Sequence, residues 1–136
     1  MNHVLMIEDN DDDIELARRT FEKAGLPGKV RVVRTGEEAL DSLFAQGADA
    51  PEHPFSTVKL VLLDLKLPLM SGLDVLRKIR LNAATRELPV VILTVSKQEP
   101  DLLQSFTMGV TDYLIKPLEA DRFAQIYRKY VRETPS

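Results

Sequence analysis

The chain has 136 residues and a net charge of -3, from 18 Lys and Arg against 21 Asp and Glu. That is enough for one domain with a self-sufficient core, and 44% apolar with 29% charged residues is a globular rather than a disordered composition. There is no cysteine, which excludes disulfides, zinc–thiolate and iron–sulfur centres and thiol catalysis, while the mild acidity argues against binding nucleic acid through its phosphates.

Val4–Ile7 is a short apolar run that ends in Glu8-Asp9 and reads as a buried strand. Ile14, Ala17, Phe21 and Ala24, three or four apart, mark one face of a helix running from about Asp12. Gly25 and Pro27 stop it. Asp11, Asp12 and Asp13 read as carboxylates at the positive end of that helix, a capping role and not a chemical one. Val30–Val33 is a second strand, and Gly36 opens a second helix through Leu40, Leu43 and Phe44, ended by Gly47. The connection from Ala48 to Thr57 is longer than most in compact domains.

Leu60–Asp64 is the third strand. Ser71 caps the third helix, with Asp74 three residues on, and Leu73, Leu76 and Ile79 are its core face. Pro89 opens the fourth strand, Val90–Thr94, and a weaker helix spans about Pro100–Met108. Val110–Ile115 is the fifth strand, with the polar pair Thr111-Asp112 near its start. Glu119–Val131 is the last helix, with Phe123, Ile126, Tyr127 and Tyr130 on one side. It ends so near the C-terminus that a single domain over residues 1–136, with no effector domain, is expected.

Apolar strands separated by helices imply a parallel sheet covered on both faces. Right-handed crossovers then favour a flavodoxin-like α/β fold, five strands in the order 2-1-3-4-5. The richest apolar stretch, Leu60–Leu63, is far short of the about 20 residues a spanning helix needs. Met1–Asp9 also lacks the basic flank of a signal peptide, so a cytoplasmic location is expected.

In such a sheet ligands bind beyond the carboxyl ends of the strands, where the strand order reverses. Strand one ends at Glu8-Asp9, strand three at Asp64, strand four at Thr94 and strand five at Lys116. Three carboxylates should therefore meet, with a hydroxyl and an ammonium closing the site. Two unit charges about 5 Å apart repel by roughly 3 kcal/mol at an effective dielectric of 20, so such a cluster takes up protons or holds a cation. Hard oxygen ligands and an open side suit Mg²⁺, which bridges readily to phosphate. A carboxylate can accept a phosphoryl group as nucleophile, and Asp64, at the end of the most apolar strand, is the best placed. His3 and His53 are isolated and lack metal-ligand spacing.

The set Glu8-Asp9, Asp64, Thr94 and Lys116-Pro117 resembles the receiver domain of two-component response regulators. Leu67-Pro68 and Gly72 after Asp64, and the run Met108–Tyr113 before Lys116, extend the resemblance over nearly the whole chain. It implies that Asp64 is phosphorylated by a sensor histidine kinase or a phosphotransfer protein. Asp9, Asp64 and the backbone carbonyl of Lys66 would ligate Mg²⁺, with Glu8 supporting the metal. Lys116 would pair with the phosphoryl oxygens, Thr94 would donate its hydroxyl to them, and Tyr113 would change rotamer on activation. The bond before Pro117 would be cis.

The long connection before strand three resembles that of the small regulators partnered with bacterial phytochromes. Members of that group often form homodimers through helix four, strand five and helix five. Val95 stands where the family often has a smaller residue and would narrow access to the phosphoryl group, slowing its hydrolysis, while Lys66 and Ser96 stand at the positions that line the route of attacking water in the family. Two other readings stand beside this one. A pseudo-receiver would dock a partner without taking phosphate. A haloacid-dehalogenase-type phosphatase would need a second aspartate two residues after the nucleophile, where Lys66 stands.

Overall fold

The structure is a computed structural model and describes residues 3–26, 29–44 and 58–131. Pro27, Gly47, the 48–57 connection and His53 lie outside the described residues, as does the side chain of His3. The strands are β1 (His3–Ile7), β2 (Lys29–Val33), β3 (Val58–Asp64), β4 (Val90–Thr94) and β5 (Asp112–Ile115). The helices are α1 (Asp11–Ala24), α2 (Gly36–Phe44), α3 (Gly72–Leu81), α4 (Pro100–Ser105) and α5 (Ala120–Tyr130). The strands form one parallel sheet in the order β2-β1-β3-β4-β5, as expected from the sequence.

Successive strand residues face opposite sides of the sheet, and both sides are buried. Leu5, Ile7, Leu63 and Ile92 pack on one side against Leu43 of α2 and Val75, Leu76 and Ile79 of α3. Met6, Leu60, Leu62 and Leu93 pack on the other against Ala17 of α1 and Phe123, Ile126 and Tyr127 of α5. Leucines with no exposed surface fill the middle of β3, so the strand carrying Asp64 is clamped from both faces.

The helix ends follow their caps. Asn10 caps α1, its side chain accepting from the Asp13 N–H at 2.9 Å, and the helix starts at Asp11. Gly25 ends it in the left-handed conformation, φ 61°, where its N–H reaches the carbonyls of Phe21 and Glu22. Ser71 caps α3 by accepting from the Asp74 N–H at 3.2 Å, as expected.

Three expectations are corrected. The third strand starts at Val58, not Leu60. The fifth strand starts at Asp112, not Val110. Thr111 takes over the ladder at its edge instead: its N–H donates to the Val90 carbonyl and its Oγ1 accepts from the Val90 N–H, both at 2.9 Å. The fourth helix is α-helical only from Pro100 to Ser105 and tightens into a 3-10 turn over Phe106–Met108. There the Ser105 Oγ donates to the Leu102 carbonyl at 2.6 Å, and Gly109 follows with φ 82°. No helix among the described residues is long and apolar enough to cross a membrane.

Candidate functional site

The register of the sheet assembles the site. Ile7 pairs with Leu63, so the next residues, Glu8 and Asp64, emerge side by side. Thr94 pairs with Ile115, so Lys116 follows one step beyond. A cleft of about 240 Å³ opens at these strand ends, and its walls include Glu8, Asp9, Asp64, Lys66, Thr94 and Lys116. The peptide bond between Lys116 and Pro117 is cis, as expected.

Lys116 is the hub of the charges. Its ammonium donates to Glu8 Oε1 at 2.5 Å, to Asp13 Oδ2 at 3.0 Å and to Asp64 Oδ2 at 3.0 Å. Burial by itself disfavours its charge, but the bonds to the carboxylates outweigh that and hold Lys116 above the ordinary lysine range. Glu8 is wholly buried. Burial first, then the hydrogen bond to the Asp64 carboxyl, push its pKa up to about 7 against the opposing pull of Lys116. Its second oxygen, Oε2, accepts the N–H groups of Asp9 at 3.0 Å and Asn10 at 3.3 Å.

Asp64 is oriented from both sides. Its Oδ1 accepts the Lys66 N–H at 2.9 Å while Oδ2 meets Lys116. The Lys66 side chain turns away and pairs with Glu99 at 3.7 Å. One oxygen each from Glu8, Asp9 and Asp64 lie within 4.8 Å of one another. Mg²⁺ holds oxygens at about 2.1 Å in an octahedron, so opposite ligands stand about 4.2 Å apart. The three carboxylates thus gather hard oxygen donors in one small region, the donor set a divalent cation such as Mg²⁺ takes.

Thr94 reaches the cleft but faces its own loop. Its hydroxyl donates to the Ser96 carbonyl at 3.0 Å and accepts the Ser96 N–H at 3.3 Å. Tyr113 stands apart from the acids. It lines a neighbouring cavity of about 380 Å³ together with Ile115, Pro117 and Arg122, and Lys116 is common to both. Its ring meets Phe106 edge to face, centroids 6.2 Å apart.

One site residue escaped the sequence reading. Asp13 does not serve only as a helix-end carboxylate, since its side chain ligates Lys116. Nothing in the local sequence separates it from Asp11 and Asp12, because the partner it meets lies 103 residues away. Asp11 instead pairs with Arg34 outside the cleft.

Residues 4–128 match the family model described as the response regulator receiver domain. The chain belongs to that family. Among curated relatives, this receiver domain is 38% identical over 115 residues to the probable methanogenesis regulatory protein FilR2 of Methanothrix harundinacea, covering 85% of this chain and 72% of that one. It is 32% identical over 114 residues to response regulator Rcp1 of Synechocystis, covering 83% and 75%. Others are longer, and the chain spans between 25% and 51% of their length. Among solved structures, the bacteriophytochrome response regulator AtBRR is similar over all of this chain and 97% of its own, with TM-score 0.84 and 37% identity. The Mn²⁺-bound form of Rcp1 is similar over all of this chain and 98% of its own, with TM-score 0.77 and 28% identity.

Proposed function

We propose that this receiver domain is a phosphoacceptor, in which Asp64 takes a phosphoryl group from a phosphohistidine of a sensor histidine kinase or a phosphotransfer protein. The carrying observation is the Asp64 carboxylate lining an open cleft, bonded to Lys116 at 3.0 Å and grouped with Glu8 and Asp9 within 4.8 Å. An Asp64 oxygen forms the new P–O bond as the N–P bond breaks, and its electron pair leaves with the imidazole. Glu8, Asp9, Asp64 and the Lys66 carbonyl would hold Mg²⁺, which supplies positive charge to the phosphoryl oxygens when bound.

Lys116 supplies the second positive charge. Thr94 supplies a neutral donor by turning its hydroxyl from the Ser96 carbonyl to a phosphoryl oxygen. That movement opens space into which Tyr113 swings, and the surface of α4, β5 and α5 changes with it. Val95, 65% exposed on the cleft wall, narrows the access of water to the phosphoryl group.

The likeness to the bacteriophytochrome response regulator AtBRR favours a phytochrome-type kinase as donor. Output would run through a partner or through a homodimer on the α4–β5–α5 face, where Leu103, Phe106 and Ile115 are exposed apolar groups. Cytoplasmic location follows from such a donor.

Incubation with acetyl phosphate and Mg²⁺, followed by intact-mass measurement, tests the reading. A phosphoryl adduct is expected on the wild type and none on Asp64→Asn. A folded wild type that gains no adduct would overturn it.

A further inference from the structure

Lys116 has three N–H donors, and each already meets a carboxylate: Glu8, Asp13 and Asp64. A phosphoryl group on Asp64 would bring three new acceptor oxygens to the same ammonium. One of the existing bonds must then be released. The Glu8 carboxylate has no exposed side-chain surface, so losing Lys116 would leave it without solvent to replace the bond. The Asp64 carboxylate carries the phosphoryl group itself. The Asp13 side chain is 36% exposed and can exchange its bond for water.

Asp13 is also outside the trio whose oxygens approach one another closely enough to share a cation. Its main chain is pinned by the Asn10 cap at 2.9 Å, so its charge stays beside the cleft after the bond is released. It therefore acts twice in the same direction. It occupies a lysine donor at rest, and it repels the incoming dianion.

We infer that Asp13 is a positioning residue that holds Lys116 in its resting pose and sets, through its charge, how readily the cleft accepts a phosphoryl group. This rests on the phosphoacceptor reading of Asp64. Asp13→Asn keeps the size of the side chain and one acceptor oxygen and removes the charge, so it separates the electrostatic role from shape.

The test is the initial rate of adduct formation with acetyl phosphate and Mg²⁺, followed by intact mass, for the wild type, D13N and D13E at low and high ionic strength. D13N is expected to react at least about fivefold faster than the wild type at low ionic strength. The ratio should contract towards one as salt rises, because a charge effect is screened and a change of shape is not. D13E should return the rate towards the wild type. A D13N rate no higher than the wild type, a gain indifferent to salt, or a D13E as fast as D13N overturns the inference and leaves the phosphoacceptor reading standing. A wild type that forms no adduct removes both.

Discussion

Gly72 lies against the main chain of Asp64: a Cβ placed on it would fall 2.5 Å from the Asp64 carbonyl oxygen and 2.6 Å from Leu65 Cα. The Gly72 N–H donates to the Leu65 carbonyl at 3.0 Å, so the start of α3 braces the strand end that carries the acceptor carboxylate. Both obstructing atoms are backbone, which cannot rotate away. Gly72→Ala should therefore cost about 2–3 kcal/mol in denaturant unfolding. Its phosphorylation rate should fall even under conditions where it is fully folded. Gly36→Ala is the control. Its nearest obstacle is Val75 Cγ2 at 2.6 Å, a side-chain atom that can shift, and the cost should be nearer about 1 kcal/mol.

Asp9 is exposed and adds a negative charge to the buried Glu8 and Asp64. In a chelator, Asp9→Asn should melt above the wild type by about 3–5 °C, corresponding to about 1 kcal/mol of relieved repulsion. Added Mg²⁺ should raise the melting temperature of the wild type with a saturating dose dependence and leave D9N unmoved. Calorimetry with and without Mg²⁺ measures both. A wild type whose melting ignores Mg²⁺ would contradict the metal assignment.

Arg80 ties three segments through their backbones. Its Nε donates to the Gly109 carbonyl at 2.7 Å, and Nη1 donates to the Leu88 carbonyl at 2.8 Å and the Thr85 carbonyl at 3.3 Å. Burial lowers its pKa from the ordinary arginine value. An ammonium cannot reproduce this planar fork, so Arg80→Lys should lose about 1–2 kcal/mol and Arg80→Met more, since it takes the guanidinium donors from the Gly109 and Leu88 carbonyls, whereas the Thr85 carbonyl keeps the Leu88 N–H. Urea midpoints of the two variants, compared with the wild type, test the order.

Tyr130 donates its hydroxyl to Asp112 Oδ2 at 2.8 Å, joining the end of α5 to the start of β5. Burial, then the bond to Asp112, raise its pKa above the ordinary tyrosine value. The folded state thus holds the phenolic proton more tightly than the unfolded state. Its stabilisation is complete below about pH 10 and lost as the pH climbs through the raised folded value. Phenolate absorbance of the native protein should show a late phase that Tyr130→Phe removes and Asp112→Asn moves down.

Much of the fold and of the site is legible in the sequence. Val4–Ile7, Leu60–Leu63 and Val90–Leu93 are apolar on both faces, which specifies buried parallel strands and, through the crossover rule, their order. Once the strands were assigned, Glu8, Asp9, Asp64, Thr94 and Lys116 fell at their ends, and the structure brings all five to one cleft. Tyr113 belongs to β5 by its backbone, while its side chain lines the neighbouring cavity.

Thr111 shows why the start of β5 was misread: its side chain replaces a ladder bond, and no periodicity in the residues around it reveals that. Asp13 shows the larger limit. As a local sequence it is one of three aspartates at the start of a helix, and the preference of a helix end for negative charge accounts for all three alike. Only the arrival of Lys116, 103 residues later, distinguishes it from Asp11 and Asp12. Strand identity and strand-end chemistry are written in the chain because burial patterns are local. The sharing of one ammonium among three acids was decided by the fold, because it depends on the register and packing of segments that never meet along the sequence.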